Sequence, residues 1–190
     1  KIMKNKQVTL SVVIPDFNEE GNIEERVKEI KAVFKNNKMS SEIKVVDDGS
    51  TDKIRTILKK IKGIKTIFFR ENFGQSAALD AGIKHSTGKY IVTLDGDGQN
   101  DPNDIPKMFD TLQKSDLDVV CGWRKKRKDS FSKRYISLGA RFLRKFLVND
   151  GIHDSGCTLR IYKSECFKGV HLKGELHRFI PAILRWRGFT

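Results

Sequence analysis

The segment KYIVTLDGDGQ, residues 89–99, places three oxygen-bearing side chains directly after an apolar run. Residues 89–95 predict a β-strand, because β-branched and aromatic residues cluster there ahead of a glycine. Side chains alternate along extended backbone, so residues two apart face the same way. If the chain stays extended beyond this strand, Asp95, Asp97 and Gln99 project to one side.

Three oxygen ligands at a strand end suit a hard divalent cation such as Mg²⁺ or Mn²⁺. Such an ion would leave coordination positions for a diphosphate and would offset charge that develops on a leaving group. An isolated Asp-x-Asp sequence is equally typical of a turn with capping carboxylates. The ends of the neighbouring strands favour the metal site.

Further apolar runs predict other strands, and helical patterns separate them along the chain. The predicted strands cover residues 8–14, 42–48, 64–69 and 117–121, and a turn-and-strand segment covers 153–162. The predicted helices follow Asn18, cover 52–61 and 73–85, begin at Pro102, and cover 135–148 and 175–187. Strands separated by helices argue for an α/β domain with a mostly parallel, Rossmann-like sheet covered on both faces.

Polar clusters follow four of these strands, and parallel sheets bind ligands beyond the carboxyl ends of their strands. The clusters are Pro15-Asp16, Asp47-Asp48-Gly49, Asp95-Gly96-Asp97 and Gly122-Trp123-Arg124. Turn chemistry explains Gly49, but it does not explain two adjacent acids that end an apolar strand. A carboxylate there could accept hydrogen bonds from a nucleobase or a ribose.

The bulk composition indicates one globular domain of 190 residues, 38% hydrophobic and 32% charged. No apolar run approaches the roughly 18–20 residues of a membrane span, and the opening residues lack the apolar core of a signal peptide. The three cysteines show no Cys-x-x-Cys spacing, which favours a reduced, cytoplasmic chain. The sequence stops where another strand begins, so we expect a domain truncated at its C-terminus.

The charge balance favours an anionic partner. Thirty-seven Lys and Arg residues against 24 Asp and Glu residues give a formal net charge of +13. Nucleic acid, a phosphorylated small molecule and an acidic membrane face are all candidates, and so is a merely solvated basic surface. Acids at three strand ends would repel a phosphate backbone in the absence of metal. Because the chain also lacks a recognised nucleic-acid motif, we expect no nucleic-acid partner.

Residues 125–134 are strongly basic, and residues 135–148 form an apolar and basic helical pattern. The basic run is either a solvated loop or a segment attracted to an anionic bilayer. The helix is either packed on the core or lies in the headgroup region of a membrane. The sequence leaves both pairs of alternatives open.

Four motifs in this order resemble glycosyltransferase family 2, especially its dolichyl-phosphate mannose synthase and polyprenyl-phosphate glycosyltransferase branch. They are SVVIPDFNEEGNI (11–23), VVDDGSTD (45–52), NFGQSAALDAGIKHSTGKYIVTLDGDGQNDP (72–102) and DVVCGWR (118–124). The resemblance covers nearly the whole chain. It implies the GT-A fold and transfer, with inversion, of a sugar from a UDP- or GDP-sugar to a dolichyl or undecaprenyl phosphate at a membrane surface.

The resemblance also implies roles for residues on the donor side. The loop after the first strand would contact the nucleotide, one acid of the second strand would bind the base, and a helix start would line the pocket. The Asp-x-Asp segment would hold the metal and the diphosphate. The residues at these positions are Pro15, Asn18 and Glu19, then Asp47, then Gln75, and finally Asp95, Gly96, Asp97 and Gln99.

On the acceptor side, the resemblance implies that Arg124 and Arg134 bind phosphate, a role that suits the planar guanidinium fork. HDSGCTLRIY (153–162) places Asp154 near the acceptor, where it would be the base for a sugar hydroxyl. A phosphate acceptor is mostly dianionic at neutral pH, so Asp154 would then orient it. With Asp97 and the two arginines, Asp154 completes the predicted catalytic set.

GELHRFIPAIL (174–184) makes His177 and Arg178 candidates for contact with the donor sugar or the phosphates. A lone histidine at a helix start is equally typical of a structural position. The motifs around Asp154 and His177 favour a polyprenyl phosphate over the alternative acceptor, a saccharide hydroxyl. They predict an enzyme that is peripheral on the cytoplasmic face of a membrane, whether or not a missing C-terminal part anchors it. Its oligomeric state is open.

Overall fold

A computed structural model describes residues 8–123, 154 and 156–190 of this chain. The strands in these residues are β1 Leu10–Asp16, β2 Ser41–Asp47, β3 Lys65–Phe68, β4 Tyr90–Thr93, β5 Val119–Cys121 and β6 Arg160–Lys163. The helices are α1 Ile23–Asn36, α2 Ile54–Lys60, α3 Gln75–Lys84, α4 Asp104–Lys114 and α5 Ile180–Trp186, with 3-10 helices at Ser164–Phe167 and Leu176–Phe179.

The six strands form one sheet in the order β3-β2-β1-β4-β6-β5. β1 pairs in parallel with both β2 and β4, and β2 pairs in parallel with β3. β6 is antiparallel to both of its neighbours, β4 and β5. The start of β6 therefore lies at the same edge of the sheet as the carboxyl ends of β1, β2 and β4.

Helices cover both faces of the sheet, and β1 shows why. Every residue of this strand is buried, so alternate side chains enter two different cores. Val12 and Ile14 pack in the core that contains Val27 of α1, whereas Val13 packs in the core that contains Leu79 of α3. The predicted α/β architecture with a mostly parallel sheet is confirmed.

One predicted helix has a different form. The segment 175–187 is a 3-10 helix at Leu176–Phe179 that leads into α5 at Ile180. Pro181 lies in the first turn of α5, where its missing N–H costs nothing and its fixed φ suits the helix. The predicted helix at 135–148 and the basic run at 125–134 lie outside the described residues. No helix in the described part of the chain is long and apolar enough to span a membrane.

Candidate active site

A cavity of about 410 Å³ opens beyond the carboxyl ends of β1, β2 and β4. Six of its lining residues carry predicted roles: Pro15, Glu19, Gln75, Asp95, Gly96 and Asp97. The other five lining residues are Asp16, Phe17, Asp48, Asn72 and Gly74. Of these, only Asp48 had a predicted candidate role, as one of two acids that could bind a nucleobase or a ribose. Five of the eleven are carboxylic acids, so the cavity of this basic chain is itself acidic.

The Asp-x-Asp segment forms a turn rather than an extended strand. β4 ends at Thr93, and Gly98 has a left-handed φ of 80°. The Asp97 Oδ1 accepts a hydrogen bond from the backbone N–H of Gln99 at 3.0 Å, as in an Asx turn. The expectation that the backbone stays extended through residue 99 is therefore wrong. Asp95 and Asp97 line the cavity without Gln99, whose role as a ligand stays a prediction.

Gln75 fixes the orientation of Asp95. It is the first residue of α3, and its Nε2 donates a hydrogen bond to the Asp95 Oδ1 at 2.7 Å. Asp48 in turn fixes the entry to α3, because its two carboxylate oxygens accept hydrogen bonds from the backbone N–H groups of Phe73 and Gly74, each at 2.8 Å. The acid that follows β2 is thus linked to the Asp-x-Asp segment through the start of α3.

Asp47, the predicted base-binding acid, is turned away from the cavity. It is fully buried, its Oδ1 accepts the backbone N–H of Ser50 at 3.0 Å, and its Oδ2 accepts the Arg55 Nε at 2.6 Å. Adjacent residues on an extended strand face opposite ways, and Asp48 is the one that lines the cavity. Alternation separates the two acids, but it does not tell which of them faces the cavity. Base binding by Asp47 stays a prediction.

The loop after β1 holds Asn18 and Glu19. Asn18 has a left-handed φ of 57°, donates its backbone N–H to the Ser50 Oγ at 2.9 Å, and accepts the Thr51 N–H at 3.0 Å. It therefore joins the loops after β1 and β2 and does not line the cavity. Glu19 does line the cavity, and its Oε2 accepts the Asn22 Nδ2 at 2.8 Å.

Asp16 is an acid of the cavity to which the motifs gave no role. Its side chain is buried, and within the described residues neither carboxylate oxygen has a hydrogen-bond partner. Burial, with the nearby charges of Glu19 and Asp47, raises its pKa to about 7. Because Asp16 directly follows Pro15 at the end of a predicted strand, the sequence indicated that it lies at the site. The sequence did not indicate what it does there.

Asp154 lies in a segment that is bound to the far end of the loop that carries Asp95 and Asp97. Its carboxylate accepts the backbone N–H of Gly156 at 3.1 Å, and it does not line the cavity. The link is Asn100, a buried residue whose Nδ2 donates to the Thr158 Oγ1 at 2.8 Å and whose backbone carbonyl accepts the Arg26 Nη1 at 2.8 Å. The segment that precedes β6 is thereby held against the loop that carries Asp95.

His177 and Arg178 occupy different environments, and neither lines the cavity. The Ser76 Oγ accepts the backbone N–H of His177 at 3.0 Å and lies 2.9 Å from its Nδ1. Burial lowers the pKa of His177, so the neutral ring closes the 3-10 helix onto the start of α3. Arg178 is exposed and forms an ion pair with Glu175 at 3.2 Å. Contact of either residue with ligand stays a prediction.

Arg124 and Arg134 lie outside the described residues. Within the residues that the structure does describe, no three His, Cys, Asp or Glu side chains are grouped so that they could hold a metal ion by themselves. The carboxylates of Asp95 and Asp97 are nevertheless the donor type that Mg²⁺ and Mn²⁺ take. They fit an ion whose other ligands come from a bound diphosphate.

The sequence model described as glycosyl transferase family 2 matches residues 11–170. The chain belongs to this family. Among its relatives, the dodecaprenyl-phosphate galacturonate synthase of Rhizobium johnstonii is 41% identical over 93% of this chain and 54% of that protein. The undecaprenyl-phosphate 4-deoxy-4-formamido-L-arabinose transferase of Edwardsiella ictaluri is 33% identical over 92% of this chain and 55% of that protein. The chain thus spans about half the length of these curated relatives.

Solved structures share the fold of this family 2 chain. Glucosyl-3-phosphoglycerate synthase of Mycobacterium tuberculosis, in complex with UDP, aligns with a TM-score of 0.72 at 20% identity, over 94% of this chain and 64% of that one. Mannosyl-3-phosphoglycerate synthase of Rubrobacter xylanophilus aligns with a TM-score of 0.71 at 17% identity, over 84% and 54%. The predicted GT-A fold is confirmed.

Proposed function

We propose that the chain is the catalytic part of an inverting glycosyltransferase. It transfers a sugar from a UDP- or GDP-sugar to a polyprenyl phosphate. One observation carries the proposal: the family 2 chain places Asp95 and Asp97 in an acidic cavity at the ends of β1, β2 and β4. That cavity has the position in which open α/β sheets bind nucleotides.

On the donor side, Asp95 and Asp97 would hold a divalent cation, Mg²⁺ or Mn²⁺. When bound, such an ion supplies positive charge that stabilises the departing nucleoside diphosphate. Gln75 orients Asp95 for this role, and Gly74 and Gln75 at the start of α3 line the same cavity, where a diphosphate would gain from the helix dipole. A further structure of the M. tuberculosis synthase contains Mn²⁺ and UDP, which supports the choice of ion and nucleotide.

On the acceptor side, the names of the relatives support a polyprenyl phosphate. Its second pKa is about 6, so the dianion predominates at neutral pH and needs little help from a base. A phosphate oxygen forms the bond to the anomeric carbon while the bond to the diphosphate oxygen breaks, with inversion. Asp154 then has a positioning role, and Arg124, Arg134, His177 and Arg178 are candidate phosphate contacts.

A donor screen tests this proposal. The chain is incubated with Mn²⁺, a short polyprenyl phosphate and each of several UDP- and GDP-sugars, and products are detected by mass. Saccharide acceptors are assayed in parallel. We expect a glycosylated polyprenyl phosphate from one donor class. Transfer to saccharides alone would move the chain to the alternative acceptor, and no transfer to either would contradict the proposal.

We also place the enzyme peripherally on the cytoplasmic face of a membrane, because its acceptor would be lipid-borne and its net charge is +13. Vesicles that contain anionic lipid should bind the chain, and added salt should weaken this binding because it screens charge. Neutral vesicles are the control. Equal binding to both kinds of vesicle, or to neither, would remove the electrostatic basis of this placement.

A further inference from the structure

The carboxyl group of Asp16 is the part of the cavity that the proposed reaction does not use. Asp16 ends β1, lines the cavity and is only 4% exposed. Neither of its oxygens has a hydrogen-bond partner among the described residues. Burying such a group without a partner disfavours folding, so the position favours a donor from beyond the described residues, such as a ligand of the cavity.

The other four cavity acids differ from Asp16 in this respect. Asp48 accepts two backbone N–H groups, and Asp95 accepts the Gln75 amide. Asp97 accepts a backbone N–H, and Glu19 accepts the Asn22 amide. The charges that act on Asp16 come from further acids, Glu19, Asp47 and Asp52, and the donor that acts on it within the described residues is the backbone N–H of the adjacent Phe17. That N–H does not reach hydrogen-bonding geometry.

The surroundings of Asp16 keep its carboxyl open to the cavity. Gly96 lies next to the carboxyl group, and a Cβ atom at that glycine would lie 3.5 Å from both Asp16 carboxyl oxygens. A side chain at position 96 would therefore occupy the space in front of the carboxyl. The glycine leaves room there for an atom of a ligand.

The position of Asp16 also indicates which part of a ligand it meets. β1 lies beside β2, and Asp16 is in register with Asp47, whereas the acceptor-side segment precedes β6 on the other side of β4. A sugar that reacts must lie between the metal segment and that acceptor-side segment. The nucleoside then extends the opposite way, toward β1 and β2. The diphosphate is no partner for Asp16, because both are acceptors and both are anionic.

We propose that Asp16 is a contact residue for the donor nucleotide, accepting a hydrogen bond from an N–H or O–H group of its nucleoside. This inference rests on the proposed function, since it takes a nucleoside diphosphate as the ligand of the cavity. A base N–H and a ribose hydroxyl share this donor chemistry. A site built to hydrogen-bond such a group binds an analogue that lacks it much more weakly.

Calorimetric titration of UDP and GDP in the presence of Mn²⁺ tests the contact. Asp16→Ala removes the acceptor and should weaken binding of the preferred nucleotide by at least about tenfold. Asp16→Asn keeps a neutral acceptor of the same size, so its nucleotide affinity should lie between those of Asp16→Ala and the wild type. Asp110→Asn is the matched control, because it removes one exposed acid on α4 and should leave binding unchanged.

Nucleotide analogues then identify the donor atom. A nucleotide methylated at its ring N–H, and nucleotides that lack the 2′ or the 3′ hydroxyl, are titrated against the wild type and Asp16→Ala. The wild type should bind the analogue that lacks the contacted group more weakly than it binds the parent nucleotide, whereas Asp16→Ala should bind both with the same affinity. If each analogue loses the same affinity in both proteins, the contact does not exist.

Three further results would overturn the proposal. In the first, both Asp16 variants bind UDP and GDP as tightly as the wild type does. In the second, both variants lose affinity for Mn²⁺ in the absence of nucleotide, measured by electron paramagnetic resonance. In the third, the variants lose affinity only for the nucleotide-sugar and not for UDP or GDP. A wild-type chain that binds neither nucleotide would instead overturn the proposed function itself. The two failures are therefore distinguishable.

Discussion

At the scale of single residues, Asp16 links the cavity to folding stability. Its pKa is about 7 in the folded chain, against 3.8 in the unfolded chain, because burial disfavours the charged form. The folded state therefore holds a proton that the unfolded state has released between these two values. The stability tied to this proton is present below pH 3.8 and is lost as the pH rises through about 7.

Asp16→Asn should consequently stabilise the chain at high pH. The amide carries no charge at any pH, so we expect its Tm to exceed that of the wild type by at least about 2 °C at pH 8. The difference should shrink steadily between pH 7 and pH 4. Thermal unfolding followed by circular dichroism across this range measures it. A difference that does not change with pH would contradict the raised pKa.

Gln75 provides a second prediction at this scale. Its amide holds the Asp95 carboxylate, and groups that orient a metal ligand typically change metal affinity by about 10–100-fold when they are removed. Gln75→Ala should weaken Mn²⁺ binding in the presence of UDP or GDP by about tenfold. Gln113→Ala, an exposed change on α4, should have no effect. Equal affinities for both variants would show that Asp95 does not depend on Gln75.

Individual site residues were predictable where a motif and a strand end coincide. Asp95 and Asp97 could be placed in the cavity because they closely follow an apolar strand whose carboxyl end lies there. Gln99 could not, because the left-handed Gly98 turns the backbone before it. The roles of Asp47 and Asp48 depend on which face of β2 each one takes. That choice required the packing of Arg55 against Asp47, a contact that the sequence does not record.

At the scale of secondary structure elements, Gly82 sets the distance between α3 and the sheet. A Cβ atom on Gly82 would overlap the Val13 Cγ1 and lie 3.1 Å from the Val46 Cγ2. α3 begins at Gln75, so its closeness to β1 and β2 also places the residue that holds Asp95. The packing of one helix thus reaches the metal segment.

Gly82→Ala should destabilise the chain even though alanine favours helices. The helix propensity gained is about 1 kcal/mol, while overpacking a close contact typically costs about 1–3 kcal/mol. We expect a lower midpoint of urea unfolding. Gly21→Ala is the control, because no atom lies within 4 Å of its added Cβ. A Gly82→Ala chain as stable as the wild type would show that α3 can move away without cost.

The elements themselves follow from local chemistry, and their arrangement does not. Apolar runs that end at a proline or a glycine fix β1 and β4 to within a few residues. The place of β6 between β4 and β5 depends on pairings such as Thr93 with Arg160. These residues are distant in the sequence, and a strand of four residues carries no signal for its partner. The segment 175–187 was predicted as one helix, and the change from a 3-10 helix to α5 just before Pro181 was not predicted.

At the scale of the whole molecule, a basic chain surrounds an acidic cavity. The net charge is +13, yet five of the cavity's lining residues are acids. An anionic nucleotide is repelled by these carboxylates unless a cation lies between them. Metal and nucleotide should therefore bind together, each increasing the affinity for the other.

Thermal shift measurements test this dependence. A ligand that binds only the folded state, at a hundredfold excess over its Kd, stabilises it by about 2.7 kcal/mol. For a chain of this size we expect Mn²⁺ with UDP or GDP to raise the Tm by roughly 5–10 °C. Nucleotide with EDTA should raise it much less. An equal rise with and without metal would argue against a bridging ion.

Asn100 connects the Asp-x-Asp segment to the segment that precedes β6. The residue is bound to Arg26 of α1 and to Thr158 ahead of β6, and it directly follows the metal segment. In the proposed reaction, a shift of that segment on donor binding would act on the stretch that carries Asp154. The proposed donor and acceptor would then be thermodynamically linked, and linkage is reciprocal. Whatever factor the nucleotide adds to the affinity for the acceptor, the acceptor must return to the nucleotide.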